Sequence, residues 1–127
     1  MAKTTQITVT AESKPGVLAK VCDILGKAGV NIVAVCAGDV SGRGKIRLVV
    51  SDHARAKAAL GAAKIRCGEE AALLVSVDDH PGALGGIASR LAAAKINIKC
   101  AYASTAGGRA QIVLVVANPD KAERALG

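Results

Sequence analysis

The chain repeats itself with a period of 66 residues and no gap. Lys14-Pro15-Gly16-Val17-Leu18 aligns with His80-Pro81-Gly82-Ala83-Leu84. The same shift carries Val30-Asn31-Ile32 onto Ile96-Asn97-Ile98, Gly42-Arg43 onto Gly108-Arg109, and Leu48-Val49-Val50 onto Leu114-Val115-Val116. Shared Pro, Gly and Asn fix backbone geometry at loops, and shared branched aliphatics at spaced positions fix a core. One small fold is therefore made twice, as units 1–70 and 71–127, and its activity is expected at paired sites. Residues 62–70 follow the first unit, whereas the second reaches Gly127 where their counterpart would begin.

Each unit reads strand, helix, strand, strand, helix, with a final strand in the first only. Residues 6–11 alternate with Ile7 and Val9 on one side, the period of a strand. Pro15-Gly16 opens a helix, since Pro is tolerated in a first turn. Val17, Leu18, Val21, Ile24, Leu25 and Ala28 then recur at helical spacing up to the stop at Gly29. Residues 30–37 and 45–51 read as strands about a turn at 39–44, residues 53–63 as an Ala-rich helix, and residues 64–69 as the closing strand. Two such units define an α+β chain of two ferredoxin-like βαββαβ repeats, antiparallel sheets with helices on one face.

Alternation also predicts an apolar second sheet face. It places Val33 and Val35 opposite Ile32 and Cys36, Val49 opposite Leu48, and Val113 and Val115 opposite Ile112 and Leu114. A solvated face would be polar there. The apolar face suggests that the sheets stack on each other or on another subunit. With the open edge expected at residues 72–77 this points to a homodimer, the strand at 64–69 of the same or a second chain filling the gap.

Composition narrows the function. Half the residues are apolar (51%), yet there is no Phe or Trp and only Tyr102, so aliphatics fill the core. The net charge of +7 is spread along the chain, as on a solvated surface. Single-stranded RNA binding on a βαββαβ sheet wants aromatic stacking platforms, which are missing. An acylphosphatase-like site wants an Arg in the loop after the first strand, where Lys14 and His80 stand instead, and a copper chaperone wants a Cys pair there. Cys22, Cys36, Cys67 and Cys100 form no metal-ligand spacing. They read as reduced residues of a cytoplasmic protein, with Cys36 and Cys100 in the core. No window is apolar over a membrane-spanning length, and the first residues lack a signal-peptide stretch. His53 and His80 read as exposed, and no metal or other cofactor is expected. No nucleophile–base or paired-carboxylate set recurs in both units, so no enzymatic activity is expected.

Pro-Gly-x-Leu at a helix start, followed by an apolar-Asn-Ile strand start, twice in register, resembles the ACT domain. The chain as a whole is similar to the small stand-alone tandem ACT-domain proteins of bacteria. That resemblance implies a non-catalytic regulatory module that binds a small effector, usually an amino acid, at an interface between ACT units. It implies a site of loop residues Ser13, Lys14, Pro15 and Gly16 in one unit and Asp79, His80, Pro81 and Gly82 in the other, preceded by Glu12 and Asp78, with Asn31 and Asn97 at strand starts. Ser13 and Asp79 occupy the position where amino-acid-binding members carry a polar side chain. Ala11 and Val77 stand where some serine-binding members carry His, so serine specificity of that type is not implied.

The chemistry is consistent with such a loop. A helix N-terminus leaves N–H groups free for a carboxylate, and Gly16 and Gly82 allow close approach. Asp79 suits an ammonium group, and on charge its loop is favoured over the Ser13-Lys14 loop. Plainer roles compete. Ser13 and Asp79 can cap their helices, Asn31 and Asn97 can be turn residues, and Arg43 and Arg109 can face solvent at hairpin tips. Gly85-Gly86 weakens the second helix's first turn and could admit a ligand or a helix. The alternative function is an interaction or scaffold subunit that keeps the fold without a metabolite.

Overall fold

The computed structural model describes all residues from Met1 to Gly127. The elements run β1 (Ala2–Glu12), α1 (Val17–Lys27), β2 (Ile32–Val40), β3 (Arg43–Val50), α2 (His53–Ala62), β4 (Cys67–Asp78), α3 (Ala83–Ala93), β5 (Ile98–Ala106), β6 (Arg109–Val116) and α4 (Pro119–Leu126). The chain divides into two compact units, Thr5–Glu70 and Met1–Thr4 together with Ala71–Gly127. Each is an antiparallel sheet carrying two helices.

In the first unit β3 lies between β2 and β1, with Ile7 opposite Leu48, Val9 opposite Ile46, and Ile32 opposite Val50. These side chains meet Val21 and Leu25 of α1 and Ala56 and Leu60 of α2 in one aliphatic core. In the second, β6 lies between β4 and β5, and Leu73, Val75, Ile112, Leu114 and Val116 meet Ile87, Leu91 and Ala122. The two cores use the same repeat positions, so most of the aliphatics that align in the sequence are buried, Leu18 and Leu84 being exceptions.

Helix ends follow local chemistry. Asp52 caps α2 by accepting from the Arg55 N–H at 3.0 Å. Asn118 does the same for Lys121 at 3.0 Å, with Pro119 in the first turn of α4. After α1, Gly29 takes φ +74° and the Val30 N–H reaches the Leu25 carbonyl at 2.9 Å. Lys64 and Lys95 take the same left-handed turn at φ +61° and +58°, where a non-glycine residue is disfavoured.

Four expectations need correction. The turn expected over 39–44 is narrower: β2 runs to Val40, and Ser41-Gly42 alone turn the chain, both with positive φ (+52° and +79°). This is the backbone a two-residue hairpin of matched twist requires. The closing strand expected over 64–69 is not separate, because β4 runs unbroken from Cys67 to Asp78. Residues 67–70 of that strand serve the first unit and 71–78 the second. The edge at 72–77 is also not left open: Met1–Thr4 cluster with the second unit, β1 neighbours β4, and Lys3 pairs with Asp120 and Glu123 of α4. The start of β1 thus stands where the second repeat lacks its closing strand, and the edge argument for a dimer falls.

The fourth correction concerns sheet faces. A bulge between Ile32 and Ala34 shifts the register, so Val35 opposes the core residue Leu48 and Cys36 opposes Arg47. An extra residue in one strand reverses the alternation beyond it. Val35 therefore shares the helix face with Ile32, 47% exposed at the sheet edge. Cys36 turns away from the core. The same bulge between Ile98 and Cys100 sets Cys100 opposite Val115, outside the core. Val49, Val113 and Val115 lie away from the helices as expected, and all three are buried.

Candidate functional site

A cavity of about 310 Å³ lies in the first unit beneath the β1–α1 loop. The end of β1 and the loop give it Glu12, Ser13 and Lys14, and the start of α1 gives Val17 and Leu18. The end of β2 gives Ala37, Gly38 and Asp39, and β3 gives Gly44 and Ile46. Val17, Leu18, Ala37 and Ile46 make the lining apolar, and Lys14 and Asp39 add charge; Glu12 borders it from the strand end, where the register sets it opposite Arg43 on the other sheet face. The volume is at the lower end of that of small-molecule sites.

Hydrogen bonding fixes this geometry. The Ser13 N–H donates to the Gly42 carbonyl at 2.9 Å, tying the loop to the β2–β3 hairpin. Asp39 Oδ1 accepts from the Gly42 N–H at 3.0 Å, holding that carboxylate at the rim. Gly16 is the cap residue of α1 at φ +92°, a backbone open mainly to glycine. No side chain caps α1, and its first turn holds no acidic residue. Its free N–H groups and positive dipole end are left for an anion.

The wall has a second determinant. Gly44 opposes Asp39 on the helix face. The repeat has Ala110 there, buried and opposite Thr105. Gly38 is likewise replaced by Ser104, and Asp39 by Thr105. The first unit is opened by two glycines and lined with acid where the second has small side chains.

The second loop is built alike but dressed differently. Gly82 caps α3 at φ +90°, and the Asp79 N–H donates to the Gly108 carbonyl at 2.9 Å. Asp78 is engaged by Arg109 at 2.5 Å, and Arg109 also donates to Ser76 Oγ at 3.1 Å. The His80 Nδ1–H donates to the Pro81 carbonyl at 2.9 Å. A cavity of about 260 Å³ touches His80, Gly82, Gly86 and Arg90, with Gly86 standing where α1 has Lys20, but it does not include Asp79. Ser13 and Asp79 cap neither helix by side chain, which corrects the capping expectation, because Gly16 and Gly82 hold the cap positions. Pro15 and Pro81 are exposed beside them.

Asn31 and Asn97 lie elsewhere. Within its unit each immediately precedes a strand at the far end of the helix from the loop, a helix of 11 residues, or about 16 Å. The Asn31 N–H donates to Ser51 Oγ and its carbonyl accepts from the Ser51 N–H, both at 2.9 Å. The Asn97 carbonyl accepts from the Ala117 N–H at 3.4 Å. Their backbones do turn work, and their exposed side chains are left over.

A polar cluster the sequence did not foreshadow joins α2 to β4. Glu69 accepts from Lys57 at 2.5 Å and lies 3.1 Å from His53 Nε2. The Lys57 hydrogen bond, then that of His53, hold the Glu69 carboxyl below its usual range, and Lys57 is raised in return. His53 is half-buried rather than exposed. Burial, then the Glu69 charge, push the nearby Cys67 thiol up, the opposite of what a nucleophilic cysteine needs. No group of three or more His, Cys, Asp or Glu is placed to hold a metal ion.

Tandem ferredoxin-like units, each with a glycine-capped helix start beneath its first loop, define the class of fold. The family model for the ACT domain pair matches residues 2–126, and the chain belongs to that family. Protein BT0572 from Bacteroides thetaiotaomicron superposes with a TM-score of 0.91 at 27% identity, over 98% of this chain and 86% of that one. The ligand-free regulatory subunit of aspartate kinase from Thermus thermophilus gives 0.73 at 19% identity, over 99% and 95%. The aspartokinase alpha and beta subunits give 0.72 at 19%, over 98% and 93%. These last two likenesses are of fold alone. Comparison with curated proteins returns no match.

Proposed function

We propose that the chain is a non-catalytic regulatory module that binds an α-amino acid in the first unit's cavity. The observation that carries this reading is the pairing of opposite charges around an apolar wall. The α1 N-terminus and Lys14 suit the carboxylate. Asp39, on the helix face of the sheet, suits the ammonium group. Val17, Leu18, Ala37 and Ile46 suit an aliphatic side chain. Its kinship to regulatory subunits in fold is consistent with the reading.

The loop with Asp79, His80, Pro81 and Gly82 is the weaker second place, since the cavity of about 260 Å³ at this loop does not include Asp79. Asn31 and Asn97 lie a helix length from the loop of their own unit and do not touch a ligand held there. A dimer is supported by the exposed apolar Leu18 and Leu84, 43% and 44% open at equal repeat positions. Light scattering at micromolar concentration is expected to give twice the 12.7 kDa of the chain. No helix is long and apolar enough to cross a membrane. With four free cysteines, this supports a cytoplasmic setting.

A thermal-shift screen of the twenty amino acids tests the function. A ligand at a hundred times its Kd stabilises by about 2.7 kcal/mol, and Asp39→Asn should remove the shift. A screen without any shift would leave the scaffold reading in its place.

A further inference from the structure

We propose that the first unit carries a second ligand site, for a small molecule bearing two or more phosphate groups. It lies on the sheet face away from the helices. The register sets Arg43, Lys45 and Arg47 of β3 on that face, opposite Val40, Gly38 and Cys36 of β2 and opposite Glu12, Thr10 and Thr8 of β1. Alternate residues of a strand are about 6.6–6.8 Å apart, so the three cations span roughly 13 Å. None of the three has a hydrogen-bond or ion-pair partner, and Glu12 makes no pair with Arg43.

A concavity of about 300 Å³ lies over this row, lined by Gly38, Val40, Arg43, Gly44, Lys45 and Arg47. Gly38 provides the room: its position opposite Lys45 has no side chain, and a Cβ there would meet nothing within 4 Å. Thr8 Oγ1, beside Arg47 in the register, is buried without a partner.

The second unit shows what a structural version of this row looks like. Its β6 presents Arg109, Gln111 and Val113 at the same positions, and Arg109 is neutralised by Asp78. Gly38 is replaced there by Ser104. The first unit keeps three cations where the second keeps one, adds no acid beyond Glu12, and leaves the floor open. Unpaired like charges in a row repel one another, and a multiply charged anion relieves that. Arg forks and a Lys point charge are the usual phosphate-binding groups. A single phosphate is too small to meet all three, whereas a di- or triphosphate reaches along the row. Val40, 75% exposed at its end, offers an apolar rest for a base or sugar. No aromatic residue lies in the first unit to stack bases, which disfavours a nucleic-acid strand.

The two cavities share Gly38 and Gly44 as lining, on opposite faces of one strand pair. This site does not depend on the amino-acid site, and its test is separate.

Titration calorimetry in 50 mM salt would use tripolyphosphate, adenosine triphosphate and inorganic phosphate as probes. Tripolyphosphate and the nucleotide should bind, and inorganic phosphate should bind at least tenfold more weakly. Arg47→Gln and Lys45→Gln should each weaken binding about three- to tenfold, and Arg47→Lys should recover part of it. Arg109→Gln should leave it unchanged. Equal affinity for nucleotide and tripolyphosphate marks the phosphate chain as the recognised group, and tighter nucleotide binding adds the base. The proposal is overturned by no heat with either probe at millimolar concentration. It is equally overturned by binding that survives the Arg43→Gln, Lys45→Gln, Arg47→Gln triple variant with an unaltered melting curve. Tighter binding of single-stranded RNA than of either probe would also overturn it.

Discussion

Gly44→Ala separates stability from ligand binding at the proposed amino-acid site. Gly44 sits in β3 with an ordinary negative or extended φ, so alanine suffers no backbone strain. Its Cβ would lie 3.6 Å from the Ala11 carbonyl oxygen, 3.8 Å from Ser13 Cα and 3.9 Å from the Gly38 carbonyl oxygen, all ordinary contacts. Removing a glycine from a strand interior stiffens the unfolded chain and stabilises by about 0.4–1 kcal/mol. For a chain of this size that is about 2–4 °C in Tm. The new methyl, however, enters the cavity wall between Asp39 and the loop. Crowding a ligand by one methyl costs about 1–3 kcal/mol, roughly five- to 150-fold in affinity. The variant should therefore melt higher without ligand and show a smaller shift with the amino acid found by screening. Ala110→Gly in the second unit should do the reverse to stability, by about 0.5–1 kcal/mol, and nothing to binding. Wild-type affinity in a stabilised Gly44→Ala protein would refute the placement of the ligand. A destabilised variant would refute the account of the strand.

Three further outcomes follow from the packing. Gly29→Ala should lose about 1–2 kcal/mol in denaturant melts because of its left-handed backbone, its Cβ meeting only Arg55 Nη1 at 3.5 Å; Lys95→Gly at the matching turn should lose nothing. Glu69→Gln should cost stability at neutral pH, because the folded carboxyl is held below its unfolded value by Lys57 and His53. That contribution is present above the ordinary glutamate range and lost as pH falls through the depressed value, so wild-type and variant melting curves should converge in acid. Deleting residues 1–4 removes the Lys3 pairing to α4 and the strand beside β4; hydrogen exchange should accelerate in residues 71–78 more than in β6.

Much of this fold is legible in the repeat. Ile7, Val9, Val21, Leu25, Ile46 and Leu48 recur at fixed spacing as aliphatics because both cores need them, and they are the residues buried. The glycine-capped loops are legible for the same reason, since Pro15-Gly16 and Pro81-Gly82 fix a backbone rather than a contact. The bulges at residues 32–34 and 98–100 are not legible, because Val-Ala-Val and Lys-Cys-Ala carry no glycine or proline to mark them. That single lost phase misplaced Val35 and Cys36 together. The cavity was hidden for another reason. Its opening depends on Gly44 against Ala110 and Asp39 against Thr105, differences between repeats in strands that look alike. The loop charge that stands out in the sequence is Asp79, while the charges at the cavity, Lys14 and Asp39, come from separate elements.

The most direct measurement is a crystal structure of the chain grown with the amino acid that gives the largest thermal shift. The account predicts density for that amino acid beneath the first loop, its carboxylate at the start of α1 beside Lys14 and its ammonium group against Asp39. Density at another position, or an empty cavity at saturating ligand, would contradict it.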